Sequence, residues 1–359
     1  MKAVLVCAGT LRKNMAGVEQ SVYYLAKFLQ KKKVDVEVYC VTDNPIGKTT
    51  YDTIPITEFP GIIFNKAFYF SLPLYFALAK ENHDVIHAYG TNSLTTLAAL
   101  AAKKKGQCMV ITGASSISSS PLRKKLHPLM YAMYRFLAKK IDSLICVSAY
   151  EYELFKQNIP LPEEKYARIP NGIDVEKFAS IKKKVQKHSI LTVARLVKQK
   201  GVHRLVRALP LIMKKFPDAH LFIVGDGIEM KNLRAQVEEE KMSSHVTFEG
   251  YIQFENLDRL AQLYSTSHVF SLMADSESQG LVYTMAIASR TIIVATQSSA
   301  MMDFIQAKVA LGVKNPDDSK EVAEKIMMAF THPFPKGENK ELVWSWDRIG
   351  GEILKLYGK

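Results

Sequence analysis

The sequence has few cysteines, and none of them is arranged as a metal or disulfide site would require. Four occur in 359 residues, and they lack both a CxxC pair and a histidine cluster beside them: Cys7, Cys40, Cys108 and Cys146. Each falls in an apolar, strand-like run. We therefore expect buried, reduced thiols rather than a disulfide framework or a zinc site.

Long uninterrupted apolar runs are also absent. The first residues hold a short apolar run with no long apolar region or cleavage site after it, which favours a β-strand over a signal peptide. Residues 62–79 are apolar, but Asn65, Lys66 and Pro73 interrupt them, so we do not expect a membrane-spanning helix. We expect a cytoplasmic protein.

Acidic residues are in the minority. Asp and Glu number 35 against 48 Lys and Arg, giving a formal charge of +13. The excess is spread over both halves, because 23 basic residues face 15 acidic ones up to Ser180, and 25 face 20 beyond it. Such a charge indicates an anionic partner. No RNP-like, zinc or helix-turn-helix signature accompanies it, which favours a phosphorylated small molecule or an acidic membrane over nucleic acid.

Chain length and the order of apolar runs predict two domains. Strand-like runs alternate with helical patterns, which is typical of parallel sheets covered on both faces. The predicted strands are residues 3–7, 34–41, 84–87, 108–112 and 143–147, then 188–193, 219–224, 246–248, 269–272, 291–295 and 309–312. We predict doubly wound, Rossmann-like α/β domains over residues 1–175 and 176–339, with a terminal helix within about 340–359 that belongs to the first domain.

An arginine and a lysine lie at one predicted strand-to-helix junction. Residues 190–201 read ILTVARLVKQKG, so Arg195 follows the strand, and Lys200 with Gly201 precedes an amphipathic helix. The carboxyl edge of a parallel sheet and the amino end of a helix both favour anions. The pattern predicts a diphosphate site, with solvated charges beside a strand as the alternative.

Two further motifs accompany this junction: Gly225-Asp226-Gly227 at the next strand end, and PNGID at 170–174. In this order and spacing the motifs resemble the retaining, nucleotide-sugar-dependent glycosyltransferases of the GT-B fold, in the large family four (group 1) that contains glycogen, sucrose and lipopolysaccharide synthases. The resemblance covers nearly the whole chain. It implies a terminal helix that crosses back onto the first domain. It also implies sugar transfer with retention in the interdomain cleft, without a metal or another cofactor.

By this resemblance, Arg195 and Lys200 hold the donor diphosphate and stabilise the charge that grows on it as the sugar leaves. The family's Gly before the Arg is Ala194 here. Residues 225–227 are either a tight turn or a point of nucleotide approach.

The family's paired glutamates, separated by seven residues, are only half present. Glu277 occupies the first position and is expected to hold sugar hydroxyls, while backbone amides of Gly280 and Leu281 hold the diphosphate. An acid at a helix entry is the alternative for Glu277. The second position is Met285, which cannot accept a hydrogen bond from a ribose hydroxyl, so donor affinity should fall.

Other positions also depart from the family pattern. Arg290-Thr291 replaces a Gly-Pro pair, Ser299-Ala300 replaces a Gly-Gly pair, and residues 113–115 read Gly-Ala-Ser where a histidine is usual. Because of these departures, the sequence is compatible with more than one function. One alternative is a degenerate protein with a binding or regulatory role. The other is a nucleotide-sugar epimerase, for which we identify no additional acid or base residues.

Two features of the first predicted domain each have a functional and a structural interpretation. The loop 9–17 resembles the family's Gly-Gly-x-Glu opening, with Ala16 in place of the first Gly. Gly17 would let the backbone approach donor phosphate or acceptor, and a plain turn is the alternative. His87 falls where the family often has a histidine, but a lone histidine at a strand end is more often structural.

Residues 121–140, PLRKKLHPLMYAMYRFLAKK, hold six basic residues and no acid. A helix of this kind suits an anionic membrane surface, contacted by Arg123, Lys124 and Lys125. A buried helix with a solvated basic edge is the alternative. Membrane-associated family members carry a similar surface beside the acceptor cleft. The resemblance therefore implies a lipid-linked acceptor, with a saccharide as the alternative, and peripheral contact with the cytoplasmic membrane face.

Overall fold

The computed structural model describes residues 1–12, 15, 17–64, 68–114, 121–253, 256–333 and 341–358, with the backbone alone at residues 63, 64, 68 and 121–124. The chain divides into two compact units. The first comprises Met1–Gly172 with Ser345–Lys359, and the second comprises Ile173–Trp344.

The first unit contains a mostly parallel sheet flanked by helices. Its described strands are β1 (Lys2–Ala8), β2 (Asp35–Thr42), β3 (Lys48–Tyr51), β4 (Ile54–Pro60), β5 (Ile62–Phe64), β6 (Phe68–Phe70), β7 (Val85–Tyr89), β8 (Cys108–Thr112), β9 (Ser143–Cys146) and β10 (Tyr166–Arg168). Its helices up to Gly172 are α1 (Gly17–Lys31), α2 (Leu72–Lys80), α3 (Leu94–Ala102), α4 (Pro121–Leu137) and α5 (Ala149–Asn158). The sheet order is β10-β9-β8-β7-β1-β2-β4-β3, and β5 pairs with β6 as a separate hairpin.

A buried cluster joins α2, α3, α4 and α5 to the sheet. Leu74 and Leu78 of α2, Leu97 and Leu100 of α3, and Tyr134 of α4 pack there with side chains of β1, β7 and β8. Burying each such apolar side chain stabilises the fold by about 1.5–3 kcal/mol. This cluster fixes the strands whose carboxyl ends carry the predicted first-domain loops.

The second unit is a fully parallel, doubly wound sheet. Its strands are β11 (Gln186–Val193), β12 (His220–Val224), β13 (Val246–Gly250), β14 (Ser267–Leu272), β15 (Ile292–Thr296) and β16 (Ala310–Val313), in the order β13-β12-β11-β14-β15-β16. Its helices are α6 (Val175–Ser180), α7 (Val202–Met213), α8 (Met230–Glu239), α9 (Leu257–Thr266), α10 (Leu281–Ala288), α11 (Met301–Gln306) and α12 (Ser319–Thr331). The strand order reverses between β11 and β14. Ligands of open α/β sheets bind at such a switch point, outside the carboxyl ends of the strands.

The terminal helix α13 (Trp346–Tyr357) returns to the first unit. It lies within the predicted span of about 340–359, and Ser345 caps it by accepting a hydrogen bond from the Arg348 N–H at 3.3 Å. Trp346 stacks on Tyr24 of α1 with ring centroids 4.6 Å apart. The Tyr357 hydroxyl lies 2.7 Å from Nδ1 of His87 in β7. Helix α13 is thus tied both to α1 and to the buried sheet.

The main departures from the predicted strands lie in the first unit. Strands β3, β4, β5, β6 and β10 were not predicted, and β3 pairs antiparallel with β4, so the prediction of a purely parallel sheet was wrong at this edge. The apolar residues 62–79 contribute the hairpin and most of α2. No helix in the described ranges is long and apolar enough to span a bilayer.

All four cysteines are free thiols, as predicted. Cys7, Cys40 and Cys146 are buried, and Cys108 is half-buried. Cys7 and Cys40 lie opposite each other on β1 and β2, with sulfurs 3.7 Å apart. Burial raises the pKa of Cys108 to about 11, so its thiol is protonated at neutral pH.

Candidate functional site

An ion pair occupies the switch point of the second unit. The loop that follows β11 carries Lys200, and the loop that follows the neighbouring β14 carries Glu277. The Lys200 ammonium contacts a Glu277 carboxylate oxygen. Their side chains are only 17% and 11% exposed, so both charges are largely withdrawn from water. Two residues predicted to act on the same substrate therefore meet at one point of the sheet.

A left-handed glycine lets the two loops approach each other. Gly201 has φ +66°, and a Cβ built there would lie 1.9 Å from the Met273 carbonyl oxygen. No other residue fits without moving the backbone of the second loop. Beside this contact, the Asp275 N–H donates to the Gln199 carbonyl at 2.9 Å. Lys200 itself ends a short 3₁₀ turn, and α7 begins two residues later, as the sequence pattern approximately predicts.

Glu277 is held through its backbone. Its N–H donates to the Ser299 hydroxyl at 2.8 Å, and its carbonyl accepts from the Ala300 N–H at 3.3 Å. Three residues later Gly280, with φ +78°, starts helix α10 at Leu281. The amides at the start of a helix carry the positive end of its dipole, and in α10 these begin with Leu281 and Val282. The loop thus places a carboxylate and a helix amino end close together in the chain.

Arg195 lies exposed at the carboxyl edge of the second unit's sheet. It follows β11 after Ala194, whose N–H continues the sheet by donating to the Val224 carbonyl at 3.0 Å. The Arg195 side chain is exposed, and no acidic group in the described part of the chain pairs with it. A cation at the carboxyl edge without a counter-ion is suited to an incoming anion.

The glycines at 225 and 227 have a packing reason. Both have positive φ, and a Cβ on Gly225 would lie 1.8 Å from the Ala194 carbonyl oxygen, while one on Gly227 would lie 2.3 Å from that of Leu196. The Leu196 N–H donates to the Asp226 carbonyl at 2.8 Å. These glycines therefore let the segment after β12 pack against the Arg195 segment. Only Asp226 of the three is well exposed to solvent.

Met285 lies inside α10 and is 8% exposed. The resemblance predicts that this thioether occupies the position of a ribose-binding carboxylate. The ribose contact at residue 285 and the other predicted donor contacts stay predictions.

In the first unit, the loop after β8 offers no imidazole at its first two positions. A Cβ on Gly113 would lie 2.3 Å from Oε2 of Glu151 and 2.6 Å from the Phe155 ring, so a side chain there would require Glu151 and Phe155 to move. Ala114 has φ +53°, and Ser115 lies outside the described residues. The familiar sugar-contacting histidine has no counterpart at positions 113 and 114.

His87 is a buried structural residue. Nε2 lies 2.7 Å from the Thr112 hydroxyl, and Nδ1 faces Tyr357 of α13. Complete burial lowers the pKa of His87 to about 3, so the imidazole is neutral. The structural interpretation of this histidine agrees with these contacts.

The loop after β1 is anchored by a buried carboxylate. Glu58 accepts hydrogen bonds from Arg12 at 2.6 and 2.9 Å and from the Thr10 hydroxyl at 2.5 Å. Burial acts to raise the pKa of Glu58, but these hydrogen bonds outweigh it and the pKa is lowered. Gly17 begins α1, and its carbonyl accepts from the Ser21 hydroxyl at 2.8 Å. Ala16 lies outside the described residues.

Helix α4 has two different faces. Met130, Tyr131 and Tyr134 are buried, whereas Leu129, Met133 and Phe136 are 58%, 40% and 86% exposed. We call the exposed apolar set the outer face of α4. Lys125, Arg135 and Lys139 are exposed along the same segment, while the side chains of Arg123 and Lys124 lie outside the described residues. An apolar stripe among cations is typical of a helix that lies on an anionic membrane.

Within the described ranges, one cluster has three potential metal ligands: Glu37, Glu81 and His83. It lies at the amino edge of the first unit's sheet. Lys2 already bridges both carboxylates, at 3.3 and 3.6 Å. The cluster is therefore an ion-pair network, and it lies away from the carboxyl edge at which the predicted loops end.

Two family models match the chain. The model of glycosyl transferases group 1 matches residues 174–341, and that of glycosyltransferase family 4 matches residues 15–177. The chain belongs to the group 1 glycosyltransferases. Transfer of a sugar is therefore the activity expected of it, as the sequence motifs predicted.

The individual relatives have low sequence identity to this chain, but the alignments cover most of its length. The chain is 24% identical over 377 residues to a phosphatidylinositol N-acetylglucosaminyltransferase subunit of Arabidopsis thaliana, covering 99% of this chain and 81% of that protein. It is 24% identical over 294 residues to the GDP-mannose-dependent monoacylated alpha-(1-6)-phosphatidylinositol monomannoside mannosyltransferase of Corynebacterium glutamicum, covering 75% and 74%. The structure of Anabaena HepE in complex with UDP and glucose superposes with a TM-score of 0.74 at 17% identity, covering 99% of both chains. The two doubly wound units and this likeness show the GT-B fold.

Two contributors to this site were not predicted as functional residues. Ser299 was noted only as a departure from glycine, yet its hydroxyl contacts the Glu277 backbone. Arg204 of α7 donates to Asp275 at 2.6 Å and to Asp317 at 2.8 Å, which ties the loop after β14 to the loop after β16. Nothing in the local sequence distinguishes this arginine from Arg207 one turn later.

Proposed function

We propose that the protein transfers a sugar, with retention, from a nucleoside diphosphate sugar bound at the carboxyl edge of the second unit's sheet. The observation that carries the proposal is the Lys200–Glu277 pair at the switch point, beside the start of α10 and the exposed Arg195. Cations and helix amides suit the diphosphate, and a carboxylate suits the hydroxyls of a sugar. Both kinds of group occur in the same pair of loops.

Each group has a separate role in the proposed reaction. The bond between the anomeric carbon and the diphosphate oxygen breaks, and its electron pair stays on the departing nucleoside diphosphate. Arg195, Lys200 and the Leu281 amide stabilise that charge, so these groups supply what a metal ion otherwise could. The oxygen of an acceptor hydroxyl forms the new bond on the face that the diphosphate leaves, and the hydroxyl proton passes to the departing diphosphate oxygen. Glu277 orients the sugar by accepting its hydroxyl hydrogen bonds.

A lipid-linked acceptor is the second part of the proposal. The two relatives described above are named for transfer to phosphatidylinositol derivatives, and the outer face of α4 exposes Leu129, Met133 and Phe136 among cations. Exposed apolar patches that are rimmed by polar residues mark sites of interaction with proteins or membranes. Peripheral docking of the first unit would bring the protein to an acceptor embedded in a membrane.

Donor chemistry is tested by incubating the protein with GDP-mannose, UDP-glucose, UDP-galactose and UDP-N-acetylglucosamine. We expect one of them to release nucleoside diphosphate, and proton NMR of the first sugar product should show the donor's anomeric configuration. An inverted product would refute retention. Nucleotide-sugar binding without any turnover would instead favour a binding or regulatory role, to which Met285 and residues 113–114 already point.

Membrane docking is tested by co-sedimentation with vesicles of rising phosphatidylglycerol content. Binding should increase with anionic lipid and fall with salt, since each cation near the surface contributes about 1 kcal/mol and is screened over a Debye length. Phe136→Ser should weaken it. Met328→Ser is a matched control, because Met328 is 49% exposed in the second unit. If the wild-type protein stays unbound at low salt, the lipid-linked acceptor is abandoned.

A further inference from the structure

Ser299 occupies a backbone conformation that normally calls for glycine. Its φ is +46°, in the left-handed region where a side chain is strained. The group 1 pattern has a Gly-Gly pair at residues 299–300. A second glycine position of that pattern, Arg290, also keeps a left-handed φ of +54°. The fold therefore retains the glycine-type backbone at both places, while the sequence has added a side chain.

The added hydroxyl at residue 299 has a specific contact. It accepts a hydrogen bond from the Glu277 N–H at 2.8 Å, and the Ala300 N–H donates to the Glu277 carbonyl at 3.3 Å. The preceding residue, Ser298, also donates through its hydroxyl to the Asp275 carbonyl at 3.2 Å. The loop after β15 thus holds the Glu277 loop at three backbone groups. A glycine at position 299 would leave the Glu277 N–H without this acceptor.

We propose that Ser299 is a positioning residue that fixes Glu277 against the sugar of the donor. This inference rests on the proposed function. The hydroxyl acts on the peptide unit that carries Glu277, while the carboxylate faces Lys200. Losing the hydroxyl frees the position of Glu277 but leaves Arg195, Lys200 and the start of α10 in place. The effect should therefore appear on the sugar side of the donor and not on its diphosphate.

Three variants separate the hydroxyl from the backbone. Ser299→Gly removes the hydroxyl and relieves the left-handed strain, so the protein should melt at the wild-type temperature or above it. Ser299→Ala removes the hydroxyl and keeps the strain. Arg290→Gly relieves comparable strain at a residue that does not touch Glu277. Each protein is titrated by calorimetry with the nucleotide sugar that the wild type accepts and with the corresponding nucleoside diphosphate.

Both Ser299 variants should bind the nucleotide sugar about tenfold more weakly, a factor that corresponds to about 1.4 kcal/mol. Their affinity for the nucleoside diphosphate should stay within about twofold of wild type, and Arg290→Gly should retain both affinities. Unchanged binding of both ligands by Ser299→Gly would overturn this inference and leave the proposed function standing. Equal loss of both would show that Ser299 only supports the structure of the loop. A wild type that binds neither ligand would overturn the proposed function and the inference with it.

Discussion

Replacing Lys200 by Met should destabilise the ligand-free protein, because it leaves the Glu277 carboxylate without its counter-ion. The two side chains are 17% and 11% exposed, so water can compensate the remaining charge only in part. Removing one partner of a buried ion pair costs about 3–5 kcal/mol. Since this pair keeps some contact with solvent, we expect a smaller loss, about 2–3 kcal/mol.

A double-mutant cycle isolates the pair itself. Glu277→Gln keeps the shape of the side chain and removes its charge, and the double variant Lys200→Met/Glu277→Gln contains neither charge. Urea unfolding of the four proteins at neutral pH gives the four free energies of unfolding. We expect a coupling energy of about 1–3 kcal/mol, which lies within the range of about 0.5–3 kcal/mol for residues in direct contact. The double variant should be more stable than Lys200→Met alone.

The result that would refute this reasoning is additivity. A coupling energy below about 0.5 kcal/mol would mean that Lys200 and Glu277 act independently in solution. The contact between the two loops would then depend on Gly201 and the Asp275 N–H rather than on charge. A change in the urea dependence of any variant would indicate an altered unfolded or native state, and that variant would be excluded from the cycle.

Three further changes test other parts of the molecule. Arg195→Ala should lower turnover about a hundredfold or more at unchanged thermal stability, because it removes one fixed charge-stabilising donor, and near-normal turnover would contradict its role. Met285→Glu should tighten nucleoside diphosphate binding by about 1 kcal/mol in calorimetry, whereas no gain would show that the pocket around residue 285 has been remodelled. The pKa of His87 is about 3 when folded, so the unfolded chain takes up a proton first as pH falls below about 6.5, and stability is lost from there toward pH 3. This group should lower the free energy of unfolding of the wild-type protein by about 2 kcal/mol between pH 7 and pH 5. His87→Gln should show a smaller decrease when both proteins are unfolded in urea.

Much of the second unit could be predicted from the sequence because its strands are continuous apolar runs. All six of its described strands overlap predicted ones, and the Arg195–Gly201 junction lies at the sheet edge where the motif places it. Strands buried on both faces lose their alternation and read as plain apolar segments, which makes them easy to find. The sequence also marked the glycines at 201, 225 and 227 as candidate turn or ligand positions. It did not predict their close packing against neighbouring carbonyls.

The first unit was harder to predict because short edge strands carry weak signals. Strands β3 and β10 contain four and three residues, and neither is a continuous apolar run. Their pairing depends on neighbours that are distant in sequence, which a local pattern does not record. The contact between Ser299 and Glu277 is similarly invisible, because two loops meet only after β14 and β15 have paired. Sequence could therefore locate Glu277 and the departure at residue 299 but not connect them.

The ion pair also explains how a buried carboxylate can persist beside a proposed anion site. An unpaired carboxylate at this burial would be costly, and it would repel an incoming diphosphate. Lys200 neutralises Glu277 in the ligand-free protein. If the proposed function holds, the sugar hydroxyls donate hydrogen bonds to Glu277. Lys200 is then free to contact the phosphates. A nucleoside diphosphate alone would draw Lys200 away from Glu277 without supplying hydrogen-bond donors to the Glu277 carboxylate.

We therefore expect wild-type protein to bind the intact nucleotide sugar more tightly than the corresponding nucleoside diphosphate. Glu277→Gln should reduce that difference in affinity. Calorimetry that shows the nucleoside diphosphate binding more tightly to wild type would contradict this exchange.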